Sequence, residues 1–276
     1  MASLSGSGAG SSVVVTGGAR GIGRAIAELL VARGHHVVLT DIDGAAAADT
    51  AAEIGADEGL THDVRNPADH RAAAEAALHH APLTAWFNNA GVGDDGRLAE
   101  MPDDQVRRLV EVNLLGVMWG MRAALDAFGP RGGDIVNTAS LAGLGPIPGY
   151  GAYAATKAGV VSLTGSVELE TPPSVRVHAV CPDVVQTAML HEGHTHDSLG
   201  SRLAHSGSRV LEPAEVAQEA VGLLGTNRVV LSVPRSRGGV VRLSALAPSV
   251  SRHAMKLVEA KGKKAIAKDA GRQGRR

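Results

Sequence analysis

The chain is poor in aromatic residues and has almost no cysteine. Aromatics make up 2% of its 276 residues, so Val, Leu, Ile and Ala must fill any core. The single cysteine, Cys181, excludes an intrachain disulfide and fits a reducing compartment, which points to the cytoplasm. No apolar run approaches the roughly 18 residues of a membrane span. Net charge is nearly absent, at −1, but it is uneven: residues 252–276 carry nine Lys/Arg against Glu259 and Asp269. The opening MASLSGSGAGSS has neither a basic start nor an apolar stretch, so residues 1–11 read as a flexible leader rather than a signal peptide. The rest is 44% hydrophobic and 20% charged overall, which suits one large α/β domain with a sizeable core.

Short apolar runs alternate with helical patterns along the chain. Strands are expected at Ser12–Thr16, His36–Thr40, Leu60–Val64, Leu83–Phe87, Asp134–Thr138, Val175–Val180 and Arg228–Val233. Helices are expected from Arg24 to Arg33 and over 43–54, 67–80, 103–128, 151–170 and 213–224. Strand–helix alternation implies a parallel sheet covered on both faces, a Rossmann-like doubly wound fold with seven strands. No internal repeat is present and no domain boundary falls before about residue 235. The expected organisation is a leader over 1–11, one α/β domain over 12–235 and a C-terminal extension over 236–276.

The first strand runs into Gly17-Gly18-Ala19-Arg20-Gly21-Ile22-Gly23 and then into a helix. Strand, glycine-rich turn and helix is an arrangement that binds a dinucleotide pyrophosphate. The glycines let backbone N–H groups approach, and the helix N-terminus carries partial positive charge. Asp41 ends the second strand, where a carboxylate can bind both hydroxyls of an adenosine ribose. It argues for NAD over NADP, whose 2′-phosphate would meet a like charge. Arg20 points the other way, because a basic residue can grip that phosphate.

Tyr153-Ala-Ala-Thr-Lys157 places a phenol and an amine one helical turn apart on one face. A cation there favours phenolate and readies the tyrosine for proton transfer to an oxygen. Ser140, just after the fifth strand, is placed to hydrogen-bond the same oxygen.

Taken together these residues resemble the short-chain dehydrogenase/reductase family over about residues 11–233. Thr16-Gly17-x-x-x-Gly21-x-Gly23, Asp63, Asn88-Asn89-Ala90-Gly91, Asn113, Ser140, Tyr153-x-x-x-Lys157 and Pro182…Thr187 follow its motifs in order and spacing. The resemblance implies an oxidoreductase acting on an alcohol/carbonyl pair. It implies that Tyr153 is the general acid or base and that Ser140 holds the substrate oxygen. Lys157 would lower the tyrosine pKa and bind the nicotinamide ribose, and Asn113 would hold a water of a proton relay. Asp63 and Val64 would flank the adenine. Asn89, Ala90 and Gly91 would lie at the adenosine-side ribose, and Pro182, Val185 and Thr187 at the nicotinamide. Helices 103–128 and 151–170 would form a homodimer or homotetramer interface. Two alternatives are an NADPH-dependent 3-oxoacyl thioester reductase and a non-catalytic dinucleotide-binding protein.

Two features depart from the family pattern. Asp183 follows Pro182 where glycine is usual, and reads as a surface-facing structural substitution. The chain also continues some forty residues past the seventh strand, which puts the usual tetramer packing in doubt. Leu141–Tyr150, with Met189, Leu190 and Leu203, should line a pocket for a lipophilic substrate. His191–Asp197 has metal-like content but no fixed scaffold spacing, so no metal is expected. His35-His36 and His79-His80 at helix–strand junctions read as solvated. The basic tail reads as a solvated helix, with peripheral membrane contact as the sharper reading and nucleic-acid binding disfavoured by the absence of interleaved aromatics.

Overall fold

The computed structural model describes residues 10–187 and 209–246. The leader up to residue 9, Met189, Leu190, the His191–Asp197 cluster, Leu203 and the basic tail lie outside the described residues. Seven strands form one parallel sheet in the order β3-β2-β1-β4-β5-β6-β7. They are β1 (Ser12–Thr16), β2 (His36–Asp41), β3 (Glu58–Thr61), β4 (Leu83–Asn88), β5 (Gly133–Thr138), β6 (Val175–Pro182) and β7 (Val230–Val233). On one face, α1 (Gly21–Ala32), α2 (Gly44–Ile54) and α7 (Pro213–Val221) pack against Val13, Val15, Leu39, Val136 and Val180. On the other, α3 (Pro67–His80), α5 (Gly116–Ala127) and α6 (Gly151–Glu170) pack against Val14, Val38, Ile135 and Val177. Successive strand residues thus serve opposite layers, as the two-residue period requires. Trp86 and Phe87, adjacent on β4 and fully buried, fill one layer each. Valine supplies most of the remaining strand packing.

Several elements differ from the sequence expectation. β3 spans Glu58–Thr61 rather than Leu60–Val64, because its only partner, β2, ends at Asp41 opposite Thr61. Asp63 therefore stands in the following turn, with its carbonyl accepting the Asn66 N–H. The long helix over 103–128 is three pieces: α4 (Asp103–Val110), one π turn (Glu111–Leu115) and α5. α7 stops at Val221, and β7 begins at Val230 rather than Arg228. Lastly, the chain beyond β7 turns into α8 (Arg235–Leu246), where Gly238 and Gly239 give little sequence signal for a helix. Gly238 is required by packing, since a Cβ there would lie 2.3 Å from Ser232 Oγ.

Candidate active site

The strand order reverses between β1 and β4, and the turns leaving their carboxyl ends bound a crevice of the kind that takes dinucleotides. The turn after β1 is held by backbone fit. Gly17 and Gly21 have φ of 64° and 58°, and a Cβ on Gly17 would lie 2.7 Å from Ala90 Cα. Gly23 is tighter still, with an added Cβ 2.0 Å from the Gly17 carbonyl oxygen. α1 then starts at Gly21 with no side-chain cap and no acidic residue in its first turn. Asp43 caps α2 and Asn66 caps α3. The leading N–H groups of α1 are therefore free of a side-chain acceptor and face the side on which an anion is stabilised. Uncapped donors and a cradle too close for any Cβ fit a bound pyrophosphate.

Asp41 fixes the edge of this cradle. Its Oδ2 accepts the Ala19 N–H at 3.2 Å and its Oδ1 accepts the Asp43 N–H at 3.3 Å. Arg20 extends to the exposed surface, and Ile22 is partly buried against the α1 layer. Asp63 is gripped by Arg65, whose guanidinium donates to both carboxylate oxygens at 2.6–3.0 Å and holds the Asp63 pKa below the usual carboxylate range. Arg65 had no sequence signal. Val64 is buried, with Cγ2 3.0 Å from where a Gly116 Cβ would be.

Asn89 is a clamp. Its Nδ2 donates to the Thr16 and Gly17 carbonyls at 3.2 and 3.1 Å, and its Oδ1 accepts from the Thr138 hydroxyl at 3.2 Å. The Thr16 hydroxyl in turn accepts the N–H groups of Asn89 and Ala90. Thr16, Asn89 and Thr138 are thus locked together beneath the crevice, and Asn89 has its main-chain carbonyl left for a ligand. On the far side, Val185 bridges to Leu211, and Thr187 Cγ2 comes within 3.3 Å of the point a Gly21 Cβ would occupy. Pro182 is buried at the end of β6.

The acid/base group gathers at the carboxyl end of β5. Lys157 is 4% exposed, and its Nζ donates to the Thr138 carbonyl at 2.8 Å. Nζ lies 5.8 Å from the centre of the Tyr153 ring. The Ser140 hydroxyl accepts the Ala142 N–H at 3.1 Å and is near enough to the Tyr153 phenol to lower its pKa. Tyr150 packs edge-on against Tyr153, so both tyrosines of the chain stand here. Asn113 is fully buried in the π turn: its Oδ1 accepts the Val92 N–H at 2.9 Å and its Nδ2 donates to the Val92 carbonyl at 2.8 Å. The added residue of a π turn swings this side chain inward, a distortion often found at functional sites. Gly91 is where these groups meet, since a Cβ there would lie 3.1 Å from Asn113 Oδ1 and 3.5 Å from Lys157 Nζ.

Burial dominates the electrostatics of this group. Burial raises the Tyr153 pKa, and the Ser140 hydroxyl only partly offsets it. Burial likewise pulls the Lys157 amine down to about 8. The Lys157 Nζ, held by the Thr138 carbonyl, stays 5.8 Å from the centre of the Tyr153 ring. Burial also pushes the Cys181 thiol up to about 12, so it behaves as an inert core residue.

Two further expectations are corrected. Leu141 and Leu144 belong to the core, so the accessible part of that loop is chiefly Gly145–Tyr150. Asp183 is not surface-facing: its side chain is 12% exposed and pairs with Arg237 of α8 at 2.9 Å. The Asp183 N–H also donates to the Val233 carbonyl. The extension thereby grips the loop that carries Val185 and Thr187.

The family model for short chain dehydrogenases matches residues 11–198. The chain belongs to that family. It is an oxidoreductase. A 2,5-dichloro-2,5-cyclohexadiene-1,4-diol dehydrogenase of Sphingobium indicum is 37% identical over 226 residues, covering 78% of this chain and 90% of that protein. A cyclohexanol dehydrogenase of an Acinetobacter species is 35% identical, covering 76% and 86%. A short chain dehydrogenase/reductase of Burkholderia phymatum, solved in complex with NAD, superposes with a TM-score of 0.78 at 31% identity, covering 89% of this chain and 96% of that one.

Proposed function

We propose that this dehydrogenase interconverts a lipophilic alcohol and its carbonyl compound with NAD(H), using Tyr153 as the general acid/base. The observation that carries the reading is the convergence of the Tyr153 phenol, the Ser140 hydroxyl and the buried Lys157 amine beside a pyrophosphate-type glycine turn. When bound, the nicotinamide supplies or accepts the hydride. In oxidation, Tyr153 takes the substrate hydroxyl proton. In reduction it returns the proton to the carbonyl oxygen, which Ser140 holds by a hydrogen bond. Lys157 binds the nicotinamide ribose. Asn113 has its side-chain amide committed to Val92, so a relay water would be held by its main chain in the π turn.

Preference for NAD rests on Asp41, whose carboxylate is fixed at the end of β2 by two N–H donors. Like charges about 4 Å apart repel by about 4 kcal/mol at an effective dielectric near 20, which disfavours a 2′-phosphate there. The names of the diol and cyclohexanol dehydrogenases support an alicyclic or otherwise lipophilic alcohol, and the accessible Gly145–Tyr150 loop suits one. The catalytic unit is residues 12–235, extended by 236–276. A homodimer through α4, α5 and α6 fits the outer face of α6, where Leu169 is 89% exposed. No described helix is long and apolar enough to cross a membrane. Together with the lone cysteine, that supports the cytoplasm as its place.

The test is absorbance at the reduced-nicotinamide band with a panel of alcohols and ketones, run with both cofactors. Tyr153→Phe keeps the ring and removes the proton. Acid–base assistance is worth about 10²–10⁴-fold, so turnover should fall by that order with NAD affinity nearly unchanged. A variant retaining a third of wild-type turnover removes Tyr153 from the mechanism.

A further inference from the structure

A second cluster of chemistry-bearing side chains lies at the opposite end of the sheet, where β2 and β3 begin. His36 opens β2, Asp57 immediately precedes β3, and His80 closes α3. Their ligand-capable atoms all lie within 4.8 Å of one another. His36 Nδ1 is 2.9 Å from Asp57 Oδ1, and His80 Nδ1 is 3.8 Å from the same oxygen. The two imidazoles are stacked, with centroids 5.8 Å apart and planes 16° from parallel. A merely solvated pair of histidines would have no common focus. Here both Nδ1 atoms address one carboxylate oxygen.

The surroundings hold that focus in place. Asp57 Oδ2 accepts the Val37 N–H at 2.8 Å, which fixes the carboxylate and leaves Oδ1 turned to the imidazoles. His80 Nε2 is 2.7 Å from Glu58 Oε1. A proton on Nε2, held by that carboxylate, leaves the Nδ1 lone pair directed at the cluster. Carboxylate–histidine pairing of this kind orients imidazoles that ligate metals and raises their basicity. Tetrahedral zinc with bonds of about 2.0–2.1 Å needs ligand atoms about 3.3 Å apart, within the range these separations span.

We propose that His36, Asp57 and His80 bind a divalent transition-metal ion of the zinc class, with Glu58 orienting His80 and water completing the shell. Two nitrogens and one carboxylate suit zinc better than calcium or magnesium, which favour oxygen shells. The ion would join β2, β3 and α3 at the edge of the sheet, remote from the Tyr153 crevice at the carboxyl ends of the strands. Its effect is on stability rather than on turnover.

The test is zinc titration of the full chain against a chromophoric chelator, with His191, His194 and His196 replaced by Asn so that they do not compete. One zinc per chain is expected, with thermal unfolding shifted upward. His80→Gln and, separately, His36→Gln should each weaken binding by at least about tenfold, in line with loss of a ligand or of its orienting partner. Cobalt substitution should give tetrahedral ligand-field bands that His80→Gln abolishes. Because His80 is partly exposed, circular dichroism of the metal-free variants should match the parent. Zinc affinity unchanged in both histidine variants, or no zinc bound below millimolar concentration, would overturn the site.

Discussion

The two loops that close the dinucleotide crevice are built on different principles. The turn after β1 is made by backbone. Gly17 and Gly23 leave no room for Cβ atoms, Gly21 takes a left-handed φ of 58°, and Asn89 and Asp41 bond its main chain. The loop after β6 is made by side chains from distant parts of the sequence. Asp183 stands where glycine is usual, and Arg237 of α8 holds it. The first device is compact and written within seven residues. The second exists only when the C-terminal extension has folded back, so the same loop position can be satisfied by glycine's freedom or by an ion pair.

Acid should break the first loop's foundation most severely. His62 follows β3, and its Nδ1 bonds the Thr40 hydroxyl beside Asp41 while its N–H donates to the Asp41 carbonyl. Burial, reinforced by the His70 charge, lowers the His62 pKa to about 3. The unfolded imidazole takes up its proton near 6.5 and the folded one only near 3. Below pH 6.5 the unfolded state therefore binds more protons, and stability falls as pH falls. At about 1.36 kcal/mol per unit, the loss is on the order of 4 kcal/mol across that window. Urea unfolding from pH 7 to 4 should show this slope, and His62→Gln should flatten it. An unchanged slope in the variant would assign the acid sensitivity elsewhere.

Gly23→Ala tests whether backbone fit holds the same loop. The new Cβ would sit 2.0 Å from the Gly17 oxygen and 2.6 Å from Asn89 Nδ2, and the first of these is main chain. Overpacking of this kind costs about 1–3 kcal/mol. NAD affinity should fall at least about tenfold, read by quenching of reduced-cofactor fluorescence. Wild-type affinity would mean that the turn yields without loss.

Asp41→Ala sharpens the comparison chemically. We expect wild type to prefer NAD over NADP by at least about tenfold in kcat/KM, roughly 1.4 kcal/mol, and the variant to narrow that ratio. Comparable values for both cofactors in wild type would show that Arg20 outweighs Asp41.

The smallest effect belongs to the second loop. Burial raises the Asp183 pKa more than Arg237 lowers it, so the carboxylate is under-compensated. Arg237→Met strands that charge and should destabilise by about 1 kcal/mol. Asp183→Asn should be milder, because it removes the under-compensated charge itself and leaves no buried carboxylate unpaired. Equal losses for the two, measured by thermal unfolding, would reduce the pair to a surface contact.

The sequence by itself determined the strand–helix alternation and the glycine turn, and it named Tyr153 and Lys157 as a candidate acid/base pair. These rest on local signals: a two-residue apolar period, glycine where no Cβ fits, and an i,i+4 pair on one helix. Only the tertiary structure decided what those residues touch. It turned Lys157 onto the Thr138 carbonyl, committed the Asn113 amide to Val92 through a π turn, and moved Leu141 and Leu144 from the pocket wall into the core. It also set Arg65 on Asp63 and Arg237 on Asp183, and drew His36, Asp57 and His80 together. Most of these contacts join residues far apart in the chain, and Asp63–Arg65 depends on where β3 ends. Residue type and spacing carry no record of them, because side-chain direction and burial are fixed only when the layers pack.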